Sequence, residues 1–318
     1  MSKILVTGAA GFIGSQLVHR LLLHGHEAIG VDNYNSHLYG PKLKRDRVKH
    51  FNIPVVECDL RDEDGMIKVV SSFLPDIVIH LAAHAGVRDS FGKEAEYHSN
   101  NIDATQVLIE VCKKIVPAVR VIYASTSGVF GGTDIPADGW TEDQILGKQL
   151  NAYTYTKYIN EIQFEISGLN NTGLRFFTVY GPWGRPDMAL FDFTKNILYN
   201  NCITVYNYGN MKRDFTYVED ILDGVEIIVN NNELKSSEIF NIGRGKQVDL
   251  MHFVREIEKN CGIDAIIDLA PKHPADSLET WSNTSKLEAL GYVPKTNIED
   301  GIANFYEWYK SYHEDNEI

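Results

Sequence analysis

Tyr153 and Lys157 have the side chains and the spacing that most clearly suit chemistry in this chain. They lie four residues apart in a segment, 153–167, that we predict to be helical, so they share one helix face. A lysine cation beside a phenol stabilises the phenolate and lowers the tyrosine pKa from its usual value of about 10. Tyr153 then becomes a proton acceptor near neutral pH. Tyr155 is only two residues from Lys157 and lies on another face.

A group of hydroxyl side chains follows the segment 119–125, which we predict to be a strand. A hydroxyl at the end of this strand, best assigned to Thr126, can bridge a substrate alcohol and the phenol of Tyr153. An aromatic residue and a lysine on an ordinary amphipathic helix are also common, so this pair alone does not establish a catalytic site. Thr126 and a glycine motif near the N-terminus favour the catalytic interpretation.

Three glycines, spaced three residues apart, separate a short apolar run from a segment with helical spacing of apolar residues. They are Gly8, Gly11 and Gly14, and the helical segment begins with Phe12 and Ile13. Such glycines allow a tight turn, a close backbone approach to a pyrophosphate, and close packing of helix on strand. The helix N-terminus adds free N–H groups and partial positive charge. We therefore predict a dinucleotide site, with an ordinary strand-to-helix turn as the alternative.

An acidic residue, Asp32, ends the second predicted strand, 27–32. It follows the glycine motif by about 20 residues, the offset at which a carboxylate meets the adenosine ribose hydroxyls. Because a carboxylate repels a 2′-phosphate, Asp32 favours NAD over NADP; capping of a turn is the alternative. Most of the basic residues between Lys42 and Lys49 are interpreted as a solvated helix or loop face.

Strands and helices alternate through the first half of the chain. Further strands are predicted at 55–58 and 77–81 and a helix at 101–115. This alternation predicts an α/β fold with a doubly wound parallel sheet of the Rossmann type. After the fourth strand, the small residues Ala82 and Ala83 would let a cofactor lie against the backbone.

Two histidines, His80 and His84, have a spacing that occurs in zinc sites. They straddle a strand end instead of sharing a helix face. We interpret them as packing or turn residues and predict no metal site.

The bulk composition excludes several classes of protein. The chain has 318 residues, of which 44% are hydrophobic and 11% aromatic, enough for a large core. A net charge of −13 argues against a general affinity for nucleic acid or anionic membranes. The four cysteines lack paired spacing and no signal-type run opens the chain, so we expect reduced thiols and a cytoplasmic protein. No apolar run reaches the roughly 18 residues that span a bilayer.

Together the motifs resemble the extended short-chain dehydrogenase/reductase family, in its branch of nucleotide-sugar epimerases and dehydratases. The resemblance covers nearly the whole chain. It rests on the glycine motif from Thr7 to Gly14, on Asp59 with Leu60, on 80–83, on the hydroxyls of 125–127, on Tyr153 with Lys157, and on Arg213 to Phe215. Segments 85–88 and 175–191 are most similar to UDP-glucuronate 4-epimerases. Enzymes of bacterial capsule and plant cell-wall formation share the second segment, which implies polysaccharide biosynthesis.

The resemblance implies NAD as the cofactor and a UDP-sugar as the substrate. The implied NAD contacts are Gly8, Gly11, Phe12, Ile13, Gly14, Asp32, Asp59, Leu60, Leu81, Ala82, Ala83, Tyr153 and Lys157. The implied substrate contacts are Arg88, Thr126, Ser127, Thr178, Arg185, Tyr206, Arg213 and Asp276, with Arg213 on the diphosphate. Two departures concern the expected uridine and sugar contacts: Ala275 replaces a usual glycine, and Gly128 replaces a frequent serine.

The architecture implied by the resemblance is an NAD-binding domain, 1–175, with a later segment, about 212–240, returning to it. A smaller C-terminal lobe, mainly 176–318, is expected to bind the UDP-sugar and to contain the amphipathic tail 298–309. The resemblance also implies a homodimer formed through the helices at 101–115 and 153–167.

The reaction implied is the 4-epimerisation of UDP-glucuronate to UDP-galacturonate. Tyr153 takes the C4 hydroxyl proton through or beside Thr126, a hydride passes to NAD, the 4-keto sugar turns, and hydride returns to its other face. Ser127 and Gly128 stand where dehydratases and decarboxylases of this branch carry an acid. Two alternatives stay open: a UDP-glucose or UDP-N-acetylglucosamine 4-epimerase, whose relatives usually have Asn at the position of Thr178, and a non-catalytic NAD-binding protein.

Overall fold

The computed structural model describes residues 1–314. Its strands are β1 (Lys3–Thr7), β2 (Glu27–Asp32), β3 (Val55–Glu57), β4 (Ile77–His80), β5 (Arg120–Thr126), β6 (Asn170–Phe176), β7 (Thr178–Tyr180), β8 (Cys202–Tyr206), β9 (Lys212–Tyr217), β10 (Glu238–Ile242), β11 (Gln247–Asp249) and β12 (Ile266–Ala270). Its α-helices are α1 (Phe12–Leu23), α2 (Pro41–Phe51), α3 (Glu63–Phe73), α4 (Glu94–Tyr97), α5 (Ala104–Ile115), α6 (Ala152–Ile166), α7 (Ala189–Leu198), α8 (Val218–Asn230), α9 (Leu250–Cys261), α10 (Ser285–Glu288) and α11 (Ile298–Glu314).

A seven-stranded sheet has the order β10-β6-β5-β4-β1-β2-β3. β1 lies between β2 and β4 and pairs in parallel with both. Ile4, Leu5 and Val6 on β1 are fully buried, as expected for a strand of a parallel sheet whose two faces are covered. The predicted doubly wound α/β fold is confirmed, and the strand order reverses between β1 and β4, where such folds bind ligands at the carboxyl ends of the strands.

The largest local departure from the predicted elements precedes α5. The predicted helix at 101–115 is α-helical only from Ala104, because His98–Asp103 form a π-helix. Single-turn π segments are frequent at functional sites. The other strands and helices of the first half for which bounds are predicted differ from them by one residue or less at each end.

Two compact units divide the chain. The first contains Met1–Gly132, Ile145–Arg175 and Val225–Phe240; the second contains Thr133–Gln144, Phe176–Gly224 and the described residues from Asn241 to Glu314. The expected return of 212–240 to the first unit is therefore wrong for 212–224, because β9 pairs with β7 and β11 in a three-stranded sheet of the second unit. The segment 133–144, expected in the NAD-binding domain, belongs to the second unit, where Trp140 forms an isolated β-bridge with Ser282.

The second unit has its own aromatic core. Phe215 on β9 stacks on Phe253 of α9 with ring centroids 4.2 Å apart. The predicted amphipathic tail is α11, which buries Ile302, Phe305 and Tyr309. This core positions β9, which carries Arg213 and Asp214.

Two further findings concern the expectations from composition. Cys58, Cys112, Cys202 and Cys261 are free thiols. Within residues 1–314, no helix combines the length and the apolar character that crossing a membrane requires.

Candidate active site

The glycine motif connects β1 to α1 and lies against the end of β4. Gly8 has φ +71°, and a Cβ built there would lie 2.7 Å from the backbone nitrogen of Ala82. A Cβ on Gly14 would overlap the carbonyl oxygen of Gly8. Glycine is therefore required for the close approach of these segments, and α1 begins at Phe12 with its first N–H groups available to an anion.

Asp32 lies at the end of β2 beside this turn and is 9% exposed. Its carboxylate accepts hydrogen bonds from the backbone N–H of Ala10 at 3.0 Å and of Tyr34 at 2.8 Å. Each carboxylate oxygen has a second lone pair that can accept a ribose hydroxyl. The glycine turn, the open helix N-terminus and Asp32 therefore fit a dinucleotide with a free 2′-hydroxyl.

Asp59, which the resemblance assigns to the cofactor, also interacts with side chains of the protein itself. It forms a bidentate ion pair with Arg61, at 2.8 and 2.9 Å, and accepts a hydrogen bond from Asn33. The hydrogen bonds from Arg61 hold the pKa of the Asp59 carboxyl well below its usual range. Its neighbour Leu60 is buried.

The basic residues of α2 do not all form a solvated face. Arg47 is fully buried, and its guanidinium donates to the Tyr39 hydroxyl at 2.8 Å and to the Ala10 carbonyl at 3.4 Å. Arg47 is an exception to the solvated face that the sequence predicts, because the Tyr39 hydroxyl and the carbonyl of a turn distant in sequence accept its hydrogen bonds. Arg47 thus supports the backbone of the glycine turn.

His80 ends β4 in a fully buried position next to the predicted small residues. Its Nδ1 lies 2.8 Å from the Thr7 hydroxyl, and its Nε2 lies 3.0 Å from the Thr105 hydroxyl. Burial lowers the His80 pKa to about 3, so the ring is neutral. Leu81, Ala82 and Ala83 follow in half-buried positions.

His84 lies with His37 and Glu96 in a group whose donor atoms are within 4.8 Å of one another. The two imidazole rings are stacked, with centroids 3.8 Å apart and planes 9° apart. Nitrogen lone pairs lie in the ring plane, so parallel rings cannot both direct a lone pair at one ion. This geometry fits a packing role for His84 better than a shared metal.

The catalytic candidates lie on the first two turns of α6. Asn151 caps the helix by accepting a hydrogen bond from the Thr154 N–H at 2.9 Å. Tyr153 is half-buried, whereas Lys157, one turn later on the same face, is 2% exposed. Burial lowers the Lys157 pKa to about 8. This lysine is therefore a cation below pH 8 in a setting where its charge is weakly screened.

Thr126 is the last residue of β5, at the carboxyl edge of the sheet. Its hydroxyl accepts a hydrogen bond from the Gly128 N–H at 3.2 Å and caps the 3-10 helix that begins at Ser127. A Cβ on Gly128 would overlap the side-chain methyl of Thr154. The departure at Gly128 therefore has a packing reason, since Thr154 occupies the space.

Asn101 is a buried residue that the sequence analysis missed. Its side chain accepts from the His84 N–H at 2.7 Å and donates to the His84 carbonyl and to the Thr156 hydroxyl, at 3.0 and 2.9 Å. It connects the segment after β4 to α6, which carries Tyr153. No spacing pattern identifies it, because its position depends on the π-helix before α5.

The predicted substrate residues of the second unit fall into two places. Tyr206 and Arg213 contact the segment 273–278, which contains Asp276. The Arg213 guanidinium donates to the Ser277 and Leu278 carbonyls at 2.7 and 2.9 Å. The Tyr206 ring meets His273 edge-on. Asp276 is buried.

Thr178 and Arg185 lie elsewhere in that unit. Thr178 begins β7, and Arg185 forms a bidentate ion pair with Asp187. In the first unit, Arg88 is exposed.

A cavity of about 620 Å³ lies beside the N-terminus of α6. Its lining includes Phe91, Ala95, Asn151 and Tyr155. Because Tyr155 and not Tyr153 lines it, this cavity is on a different face of α6 from the catalytic candidates.

Residues 4–243 match the family model of the NAD dependent epimerase/dehydratase family. The chain is 40% identical to Protein CapI of Staphylococcus aureus, over 98% of this chain and 99% of that protein. It is 36% identical to UDP-glucuronate 4-epimerase 4 of Arabidopsis thaliana, over 98% of this chain and 76% of the relative.

Among solved structures, the chain is similar to UDP-glucuronic acid 4-epimerase from Bacillus cereus in complex with UDP-glucuronic acid and NAD. The TM-score is 0.89 at 32% identity, and the match covers 98% of this chain and 99% of the other. The predicted cofactor, NAD, agrees with the family model and with this structure. The chain belongs to the NAD-dependent epimerase/dehydratase family.

Proposed function

We propose that this protein is an isomerase that interconverts UDP-glucuronate and UDP-galacturonate by inversion at C4. The observation that carries the proposal is the placement of Tyr153 and Lys157 on one face of α6, with Lys157 buried, in a chain of this family. Intact acid–base residues argue against a non-catalytic NAD-binding protein.

When bound, NAD supplies a hydride acceptor that later acts as the hydride donor at C4. Tyr153 accepts the proton of the C4 hydroxyl and returns it after the sugar has turned. Lys157 stabilises the phenolate by its charge, and the Thr126 hydroxyl orients the sugar alcohol. We propose that NAD binds to the first unit, where it contacts the glycine motif, Asp32, Asp59, Leu60 and residues 81–83.

Selection of the uronate requires control of its carboxylate. Once C4 is a ketone, the sugar is a β-keto acid, and it loses carbon dioxide fastest when the C5–C6 bond is perpendicular to the carbonyl plane. We propose that Thr126, Ser127, Thr178 and Arg185 hold the carboxylate away from this alignment. Charge-assisted hydrogen bonds of this type contribute roughly 1.5 to 3 kcal/mol each. Arg213, Tyr206, Asp276 and Arg88 are assigned to the nucleotide and its diphosphate.

The decisive experiment incubates the purified protein with a panel of UDP-sugars and separates the product sugars. We expect interconversion of UDP-glucuronate and UDP-galacturonate without net oxidation. Tyr153→Phe should abolish turnover and leave NAD and UDP-sugar binding within a few fold, because only the proton acceptor is lost. Turnover above one tenth of wild type in this variant would refute the role of Tyr153.

A second measurement separates the uronate assignment from a galactose-type epimerase. Thr178→Ala and Arg185→Ala should weaken UDP-glucuronate more than UDP-glucose and should release some decarboxylated 4-keto pentose. Equal loss of both sugars with no such product would favour the galactose-type activity instead.

We also propose a homodimer formed through α5 and α6 and a cytoplasmic role in polysaccharide biosynthesis. Apolar side chains on the outer surface of α6 support the first point, since Tyr155 and Ile166 are 46% and 77% exposed. Light scattering of the wild type and of Ile166→Glu tests the dimer: we expect a dimer that the substitution weakens, and a monomeric wild type would refute this proposal.

A capsule-deficient phenotype on gene deletion is expected if the product feeds a polysaccharide.

A further inference from the structure

Glu161 extends the catalytic face of α6 by one more turn. It follows Lys157 by four residues and Tyr153 by eight, so the three side chains share one helix face. Glu161 is only 6% exposed. A carboxylate is seldom buried to this extent without a charged partner.

Two neighbouring strands supply partners for this carboxylate. Arg175, at the end of β6, donates from Nε to Oε1 and from Nη2 to Oε2, each at 2.9 Å. The Ser125 hydroxyl, on β5, donates to Oε1. Arg175 is 3% exposed and lies over the Phe130 ring at 4.9 Å. Bidentate geometry with a buried guanidinium fixes Glu161 as an oriented anion.

This anion acts on Lys157. Burial lowers the Lys157 pKa, and the charge of Glu161 opposes that effect. Arg175, which holds Glu161, is the charged group on β6 beside this pair. Further ionisable groups near the pair are Tyr123 on β5, whose phenol burial keeps neutral, and His80 on β4, whose ring is neutral as well. The negative charge that favours the Lys157 ammonium therefore comes from Glu161.

We propose that Glu161 is a positioning residue for the proposed epimerase reaction, on which this inference rests: its fixed carboxylate keeps Lys157 charged, and Lys157 in turn favours the Tyr153 phenolate. The chain of effects runs along one helix face, from the Arg175 and Ser125 contacts to the phenol. A purely structural ion pair would stabilise the fold and leave the ionisation of Tyr153 unchanged.

Glu161→Gln removes the anion and keeps the side-chain size. Without it, Lys157 loses its proton at lower pH, so the alkaline limb of the kcat profile should move to lower pH by about one unit or more. At pH 8.5 we expect kcat to fall about tenfold, with KM for the UDP-sugar within about twofold. The matched control is Glu165→Gln, which removes the same charge from an exposed position one turn further along α6 and should leave the profile unchanged.

The double variant Glu161→Gln/Arg175→Gln protects the test against misfolding, because its two neutral amides can still hydrogen-bond to each other. The double variant should also move the alkaline limb of the kcat profile to lower pH. Superimposable profiles for wild type and both Glu161 variants would overturn the inference.

A direct titration separates this inference from the proposed function. The phenolate absorbance of the NAD-loaded protein, minus that of Tyr153→Phe, reports the ionisation of Tyr153 without any turnover. In Glu161→Gln this phenolate should appear at higher pH than in the wild type. A wild type that is inert toward all UDP-sugars but shows this shift would refute the proposed function alone. An active wild type without the shift would refute the role of Glu161 alone.

Discussion

Glu161 and Asp214 are buried carboxylates, one in each compact unit, and they are satisfied in different ways. Glu161 pairs with a guanidinium. Asp214 accepts the backbone N–H groups of Arg244, Gly245 and Ser282, and also the Ser282 hydroxyl. Burial raises the pKa of Asp214, while these hydrogen bonds oppose the shift. The first carboxylate is held by a charge, and the second by dipoles.

The two carboxylates also differ in their effects on the rest of the protein. The partners of Asp214 lie on segments 244–245 and 282, so its hydrogen bonds join β9 to two distant parts of the second unit. Glu161 lies next to a lysine that we assign to catalysis, and its charge changes that lysine's proton affinity. In this chain the hydrogen bonds of Asp214 join segments of the fold, whereas we propose that Glu161, beside an ionisable lysine, also affects reactivity.

Removal of Asp214 should have the largest effect on stability. Asp214→Ala removes the acceptor of the Arg244 and Ser282 N–H groups and of the Ser282 hydroxyl, and each unpaired group costs about 1 to 3 kcal/mol. The Gly245 N–H keeps the Ser282 oxygen as an acceptor at 3.2 Å. We expect the free energy of unfolding to fall by about 4 kcal/mol or more, measured by urea denaturation. Asp268→Ala, at an exposed position of β12, should change it by no more than about 0.5 kcal/mol. Similar losses in the two variants would remove the contrast.

Removal of the Arg175 cation, which pairs with Glu161, should lower the free energy of unfolding somewhat less than Asp214→Ala does. Arg175→Met leaves a buried carboxylate without its bidentate partner, which lowers the free energy of unfolding by about 3 kcal/mol. Addition of Glu161→Gln should recover part of that loss, because the unpaired charge is then absent. A double-mutant cycle measures the coupling, and strictly additive losses would mean that the two residues do not interact.

The charge of Lys157 should make stability depend on pH. Its pKa is about 8 in the folded chain, against 10.5 when unperturbed. Between these values the unfolded chain holds more protons, so the wild type loses stability as the pH falls from 10.5 to 8. Lys157→Met lacks this titrating group. Its free energy of unfolding, relative to that of the wild type, should therefore increase by about 3 kcal/mol as the pH falls from 10.5 to 8. A difference in unfolding free energy that does not vary with pH would contradict the lowered pKa.

A surface pair should show the smallest effect. The Arg185 and Asp187 side chains are 21% and 23% exposed, so solvent screens their ion pair. Arg185→Met should lower the free energy of unfolding by less than about 1 kcal/mol, several times less than Arg175→Met. Equal losses by thermal denaturation would show that burial is not what distinguishes the two arginines.

Local patterns predicted the elements that carry the NAD motif with good accuracy. β1, β2 and α6 match because apolar runs and helical spacing act over a few residues. The division of the chain was harder to predict, since 133–144 and 212–224 join the second unit through partners that are far away in sequence. The burial of Arg47 depends in part on the same cause, because one of its acceptors is the carbonyl of Ala10.

By itself, the sequence determined the dinucleotide turn, the acidic end of β2 and the Tyr153–Lys157 face, because each depends on spacing within one strand, turn or helix. Only the tertiary structure decided which side chains surround that face. Glu161 acquires its oriented charge because Ser125 and Arg175, on β5 and β6, meet α6. Asn101 reaches His84 and Thr156 through a π-helix. Burial and charge depend on distances between segments, and one-dimensional spacing does not contain those distances.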